Sequence, residues 1–180
     1  IPEAVPPVFI ESLFEEIRRY DGPKDVVSIF LGGGTPSLLS PRDLEQLFNL
    51  LSNTFAFQNP EITLEANPDD VTPELAQCWM ANHVNRVSLG IQSFDDCALR
   101  YLGRRHSAAR AFHAAETVAA LFTNWNMDLI FGVPVKGSWA TTLETAVKFN
   151  PPHIAAYSLT YENGTLFEAR IHEALDDDAM

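Results

Sequence analysis

The sequence predicts an α/β fold built on a parallel sheet, and three observations carry that expectation. Apolar runs of strand length are each followed by a stretch of helical spacing, five times over after an opening helix, which is the signature of repeated βα units with right-handed crossovers. The run at residues 26–31 is almost continuously apolar, as in a strand covered on both faces of a parallel sheet. Successive runs end in polar residues, and parallel α/β folds gather ligands at the carboxyl ends of their strands. The alternation alone leaves two architectures open, a doubly wound sheet and a partial or complete barrel.

Pro6-Pro7 followed by Phe9, Ile10, Leu13, Phe14 and Ile17 predicts a first amphipathic helix, closed by Gly22-Pro23. After the strand at 26–31, three glycines (Gly32, Gly33, Gly34) form a turn whose backbone N–H groups are open to an anion or polar ligand. Ser40-Pro41 with Asp43 reads as N-cap, first-turn proline and capping-box acid of a helix striped by Leu44, Leu47, Phe48 and Leu51. A strand at 61–66 stops at Asn67-Pro68-Asp69-Asp70, and Thr72-Pro73 opens a helix carrying Leu75, Cys78 and Trp79. The next strand, at 84–89, leads into Gly90-Ile91-Gln92-Ser93-Phe94 and two helices, at 95–102 and 107–121. A strand at 127–131 ends at Gly132-Val133-Pro134 before a helix at 138–149. Pro151-Pro152 introduces a last strand at 154–159, and an amphipathic helix at 165–175 is expected to close the chain.

The 180 residues are enough to bury a core, and the length fits a single domain over 1–180. A formal charge of −12 argues against nucleic acid or an anionic membrane as the main partner, with Asp176-Asp177-Asp178 read as a frayed acidic end. No run approaches a membrane span, and Ile1-Pro2-Glu3 lacks the basic start of a signal peptide, so a cytoplasmic protein is expected. Cys78 and Cys97 have no metal-site spacing, and Cys78, beside Trp79, is expected to be a buried core thiol. The five histidines show no ligand spacing, and none is assigned a metal.

The strand ends bring forward Thr35, Glu65 and Asn67, Gln92, Asp128, and Ser158 with Thr160 as groups meeting at one mouth. Asp128 is the most informative, because a carboxylate inside an apolar strand needs a partner or a polar ligand. Strand alternation puts Asp128 with Ile130 and Gly132, opposite Met127, Leu129 and Phe131, and so turns it away from the helices. A hydrogen bond to a neighbouring strand is its structural reading. For Glu65 that reading is a cap on the Asn67 turn, and for Gln92 a partner for loop backbone. Arg104 and Arg105 are the paired cations of the middle loops, one of them suited to a carboxylate.

The segments SIFLGGGTPSLLS, EITLEANPDDVT, NRVSLGIQSFDD with LGRRHS after it, NMDLIFGVP and NPPHIAAYSLTYENGTLF cover most of residues 27–167. Together they resemble the radical S-adenosylmethionine (SAM) enzymes related to oxygen-independent coproporphyrinogen III oxidase. Within that family YSLTYENGTLF is similar to the HemW branch, regarded as heme chaperones. The resemblance implies a parallel-stranded partial TIM-type barrel, a (β/α)6 three-quarter barrel that binds SAM and cleaves it reductively at a [4Fe-4S] cluster to a 5′-deoxyadenosyl radical. It implies that Gly33, Gly34 and Thr35 approach the methionine end and that Glu65 holds a polar part of the cofactor. Gln92, Arg104 and Asp128 match positions that hold a second SAM in the oxidase, and Thr160 lies where a late strand contacts adenosine. Heme or a porphyrin is implied as a ligand, with a heme-acceptor protein and a peripheral membrane contact in delivery.

The sequence also departs from the family pattern. The three cluster cysteines of the C-x3-C-x2-C loop would fall before Ile1, together with the first barrel strand, and neither Cys78 nor Cys97 replaces them. The family's C-terminal region, with its proposed heme-binding segment, has no counterpart. The loop Pro134-Val135-Lys136-Gly137-Ser138-Trp139 is about two residues shorter than the G-Q-T-x-x-S-W loop usual in the family it resembles. Three functions follow as expectations: the SAM-binding core of a heme chaperone, a coproporphyrinogen III oxidase that decarboxylates propionates, and a non-catalytic scaffold.

Overall fold

The computed structural model describes residues 5–165 and 167–175. Its helices are α1 (Pro7–Arg19), α2 (Pro41–Thr54), α3 (Pro73–Ala81), α4 (Asp96–Tyr101), α5 (Ala108–Leu121) and α6 (Ser138–Lys148). Its strands are β1 (Asp25–Leu31), β2 (Ala56–Ala66), β3 (Arg86–Gln92), β4 (Trp125–Phe131) and β5 (His153–Ser158). The helix starts are set by local chemistry: Ser40, Thr72, Asp95 and Ser107 each accept a backbone N–H from the first turn of the helix that follows.

All five strands are parallel and lie in the order β1-β2-β3-β4-β5. A doubly wound sheet requires the strand order to reverse at a switch point. Here every crossover steps the same way, so the helices collect on one face and the sheet curves as a half-barrel. The core lies between that face and the helices, with Leu64, Val87, Leu89, Met127 and Leu129 inaccessible to solvent. On α5 the inward residues are Ala111, Ala114, Ala115 and Val118, small enough for the helix axis to approach the sheet closely.

The opposite, concave face of the sheet carries Thr63, Glu65, Arg86, Ser88, Asn126 and Asp128, as the two-residue period of β2, β3 and β4 dictates. An enclosed barrel packs layers of branched aliphatic side chains in this position. In this half-barrel the space is polar.

Several expectations need correction. β1 is not covered on both faces: Val27 and Phe30 are 72% and 61% exposed, because β1 is an edge of the sheet. β2 begins at Ala56 rather than 61, since Ala56 N–H bonds the Lys24 carbonyl and a register shift carries the strand past Asn59 at φ +50°. Cys78 is half-buried and sits near the Asn82 amide at 3.6 Å, whereas Ala76 and Trp79 face the core. The closing helix is instead a 3-10 stretch, Glu168–Glu173, with no buried residue. Among its residues Arg170 is the one that rests on the Tyr101 and Phe167 rings, while Ile171 stays 59% exposed, so burial does not stabilise a longer helix. The chain start at 1–4, Leu166 of the matched YSLTYENGTLF segment and the acidic end at 176–178 lie outside the described residues. No helix of the described residues is long and apolar enough to cross a membrane.

Candidate functional site

The carboxyl ends of β1 to β4 surround a cavity of about 210 Å³ lined by Gly34, Thr35, Glu65, Gln92, Arg104 and Asp128 among others. Six of the eight residues to which the family resemblance assigns a cofactor contact therefore meet at one rim, together with Asn67. Gly33 contributes from just outside, through its N–H. Thr160 lies two residues beyond β5, exposed and outside this lining. Ser88 and Gly90 also line the cavity, although no sequence reading singled them out. Their signal was alternation, because residues 86, 88 and 90 share one face of β3.

On the β1 side, Gly33 and Gly34 have φ of +79° and +21°, and a Cβ on either would meet nothing within 4 Å. The turn thus presents bare backbone to open space. Gly33 N–H donates to Glu65 Oε2 at 3.1 Å, which fixes the carboxylate at the end of β2 against the glycine turn. Gly32 has no room for a side chain, since its Cβ would strike the Phe30 ring and lie 3.1 Å from the Glu65 carboxyl carbon. Gly34, Thr35 and Pro36 also line a larger, mainly apolar hollow of about 570 Å³ between α1, β1 and α2.

On the β4 side, Asp128 accepts from Ser88 Oγ at 2.9 Å and from Asn126 Nδ2 at 2.8 Å. Asn126 Nδ2 also donates to Ser88 Oγ at 3.0 Å, and its Oδ1 accepts from Arg86 Nη2 at 2.7 Å. Arg86 reaches on to Thr63 Oγ1 at 3.3 Å. These bonds form a polar ladder along the concave face that ends at the Asp128 carboxylate. Burial pushes the Asp128 carboxyl above its ordinary value, against the opposing effects of the Ser88 and Asn126 hydrogen bonds and the Arg86 charge. The hydrogen bond to a neighbouring strand is present, and the same carboxylate also faces the cavity.

Arg104 enters over β3. The C-terminus of α4 closes in a Schellman motif, with Gly103 at φ +68°, Gly103 N–H on the Arg100 carbonyl and Arg104 N–H on the Leu99 carbonyl. That geometry swings Arg104 inward, where its Nη2 donates to Asn67 Oδ1 at 2.8 Å. Burial lowers its affinity for the proton, partly offset by nearby Asp69, and a guanidinium remains a cation regardless. Arg105 is exposed. Gly90 provides the room between these groups: a Cβ there would lie 3.0 Å from Gln92 Nε2 and 3.6 Å from Arg104 Nη2.

The cavity therefore offers two carboxylates, two amides, a guanidinium and hydroxyls around bare backbone. This donor and acceptor set suits a ligand that carries both charges of an amino acid. A metal cluster is a different matter. Among the described residues no group of three or more His, Cys, Asp or Glu side chains could hold a metal ion, and Cys78 and Cys97 stand on different helices. These residues do not fit a [4Fe-4S] cluster, and no step through one follows from them.

Residues 3–144 match the model of the radical SAM superfamily, and the chain belongs to that superfamily. Membership implies SAM and a [4Fe-4S] cluster as the cofactors of the class. Among characterised relatives, the chain is 40% identical over 157 residues to heme chaperone HemW of Haemophilus influenzae, an alignment covering 85% of this chain and 41% of the relative. It is 38% identical over 179 residues to heme chaperone HemW of Escherichia coli, covering 96% and 47% respectively. Of solved structures, coproporphyrinogen III oxidase (HemN) from Escherichia coli superposes with a TM-score of 0.81 at 27% identity, over 95% of this chain and 41% of that one. The chain thus spans less than half the length of these relatives.

Proposed function

We propose that residues 1–180 form the SAM-binding core domain of a radical SAM heme chaperone. The observation that carries this reading is the convergence of Gly34, Thr35, Glu65, Gln92, Arg104 and Asp128 on one cavity at the carboxyl rim. The heme-chaperone part draws support from the two HemW relatives, whose identity exceeds that to the oxidase. Heme or a porphyrin is the cargo in this reading, handed to an acceptor protein, with peripheral membrane contact during delivery and a cytoplasmic setting.

The residues divide the cofactor by chemistry. At the positions that match those of the oxidase's second SAM, Arg104 pairs with an amino-acid carboxylate and Asp128 with an ammonium group, while the Gln92 amide bridges them. Gly33, Gly34 and Thr35 offer backbone and hydroxyl along the open face of the turn, and Glu65, held by Gly33 N–H, accepts from a polar part of the nucleoside. Thr160 contacts adenosine only if the segment after β5 folds back over the rim. In this superfamily SAM supplies a 5′-deoxyadenosyl radical when it is reduced at the cluster. What the present side chains do is bind and orient it.

The test uses the full-length protein reconstituted anaerobically with iron and sulfide. Calorimetric binding of SAM is expected, weakened at least about tenfold by Arg104→Ala or Asp128→Ala, the loss of one charge-assisted pair. Absence of both SAM binding and 4Fe-4S absorbance overturns the reading. The superposition on coproporphyrinogen III oxidase favours a second reading, oxidative decarboxylation. Release of CO2 from coproporphyrinogen III decides for that enzyme, and heme binding without decarboxylation decides for the chaperone.

A further inference from the structure

Gln92 ends β3 in a conformation that glutamine rarely adopts, with φ at +63°. The carbonyl of Ile91 before it accepts the N–H of Ser93 after it at 2.8 Å, so Gln92 is the central residue of a three-residue γ-turn of the strained, positive-φ kind. The β3–β4 pairing shifts register between Leu89 and Gln92 at this place. A left-handed residue without glycine persists only where its surroundings over-determine it.

The surroundings do so. The Ile91 carbonyl has a second partner, His106 Nε2 at 3.0 Å, and His106 is 5% exposed. A carbonyl can only accept, so the imidazole carries its proton on Nε2. Burial disfavours the charged ring, with the Ile91 bond and the Arg104 and Asp69 charges as lesser influences. His106 does not line the cavity. It lies two residues after Arg104, so a single loop sends Arg104 over the end of β3 and His106 beneath it. The far side of the turn is fastened by Thr142 of α6, whose Oγ1 lies 2.7 Å from Ser93 Oγ and accepts Phe94 N–H at 3.0 Å.

We infer that His106 is a positioning residue: by donating to the Ile91 carbonyl it holds the γ-turn that aims the Gln92 amide into the cavity beside Arg104. The ligand half of this inference rests on the proposed SAM binding. The conformational half does not.

The experiment compares His106→Gln, whose amide nitrogen reaches the place of Nε2, with His106→Asn, whose amide falls short, and with His106→Leu, all in the full-length protein. Crystal structures without SAM are expected to keep Gln92 at positive φ in His106→Gln and to return it to negative φ, its amide out of the cavity, in the other two. SAM affinity should fall about tenfold in His106→Asn and His106→Leu and stay within about threefold of wild type in His106→Gln, the scale of one directed hydrogen bond. In a Gln92→Ala background the same substitutions should cost nothing more, since both act through one group. Gln92 remaining left-handed in His106→Asn overturns the inference, as does a loss of affinity that adds fully to that of Gln92→Ala. If the wild-type protein binds no SAM, the proposed function falls and the ligand-free structures still decide the role of His106. If His106→Leu does not fold, the Asn and Gln pair carries the comparison.

Discussion

The chain leaves β1 and β3 through turns that both need left-handed backbone, and it builds them by opposite means. After β1 the strain is avoided: Gly33 and Gly34 carry no side chain, and the space around them is empty. After β3 it is retained and braced, with Gln92 at φ +63° between His106 on one side and Thr142 on the other. The first solution leaves a backbone surface and the second an aimed side chain. One rim therefore offers N–H groups at one end and a fixed amide at the other.

The largest expected change comes from undoing a brace. Thr142→Val keeps the shape of a fully buried side chain but leaves Phe94 N–H without a partner, while Ser93 Oγ keeps the Asp95 N–H as its donor. At about 1–3 kcal/mol for a donor so orphaned, the variant should lose up to about 3 kcal/mol in denaturant unfolding. Gly33→Val attacks the other turn: it has room for the side chain but not the dihedral, and should cost about 2 kcal/mol. Its circular dichroism should remain native while SAM binding is lost. Gln92→Gly should do the reverse of both, raising stability by about 1 kcal/mol as the left-handed strain is relieved, and weakening the ligand. A destabilised Gln92→Gly would mean that the amide stabilises the fold rather than the site.

The smallest effects are those of pH. His106 is held below its ordinary value of 6.5, so the unfolded chain takes up the proton first, and stability should decline as pH falls from 6.5. Asp128 is held above its ordinary 3.8, so the folded chain keeps its proton longer, and its contribution is lost as pH rises from 3.8 through the folded value. Asp128→Asn should accordingly unfold no earlier than wild type at neutral pH, the difference vanishing toward pH 3.8, while binding SAM less well. Thermal melts across that range read both.

Much of the rim was legible because it depends on local rules. The Ser40 cap, the helix starts at Thr72 and Ser107, the glycine turn and the inward aim of Asp128 all follow from neighbours within four residues. The edge exposure of β1 was not legible, because a run such as Val26-Val27 reads the same in a covered strand as in an uncovered one. Nor was the start of β2, expected at 61, because a register shift against β1 carries the strand back through Asn59-Pro60 to Ala56. The partners that fix the site come from far along the chain, 40 residues for Ser88 and Asp128 and 49 for Ser93 and Thr142. His106 carried no ligand spacing, and nothing in its own segment announced a bond to Ile91. Alternation alone did not separate the half-barrel from a doubly wound sheet; the family resemblance implied the partial barrel, and the strand order bears it out.

The ladder from Thr63 through Arg86 and Asn126 to Asp128 has a consequence for what the concave face can select. Its dipoles are held in fixed directions, each satisfied by the next, so an incoming guest meets an arranged field rather than a fluid one. Fit at this wall is governed by the direction of each hydrogen bond. A molecule of the right volume with its donors and acceptors interchanged would be turned away.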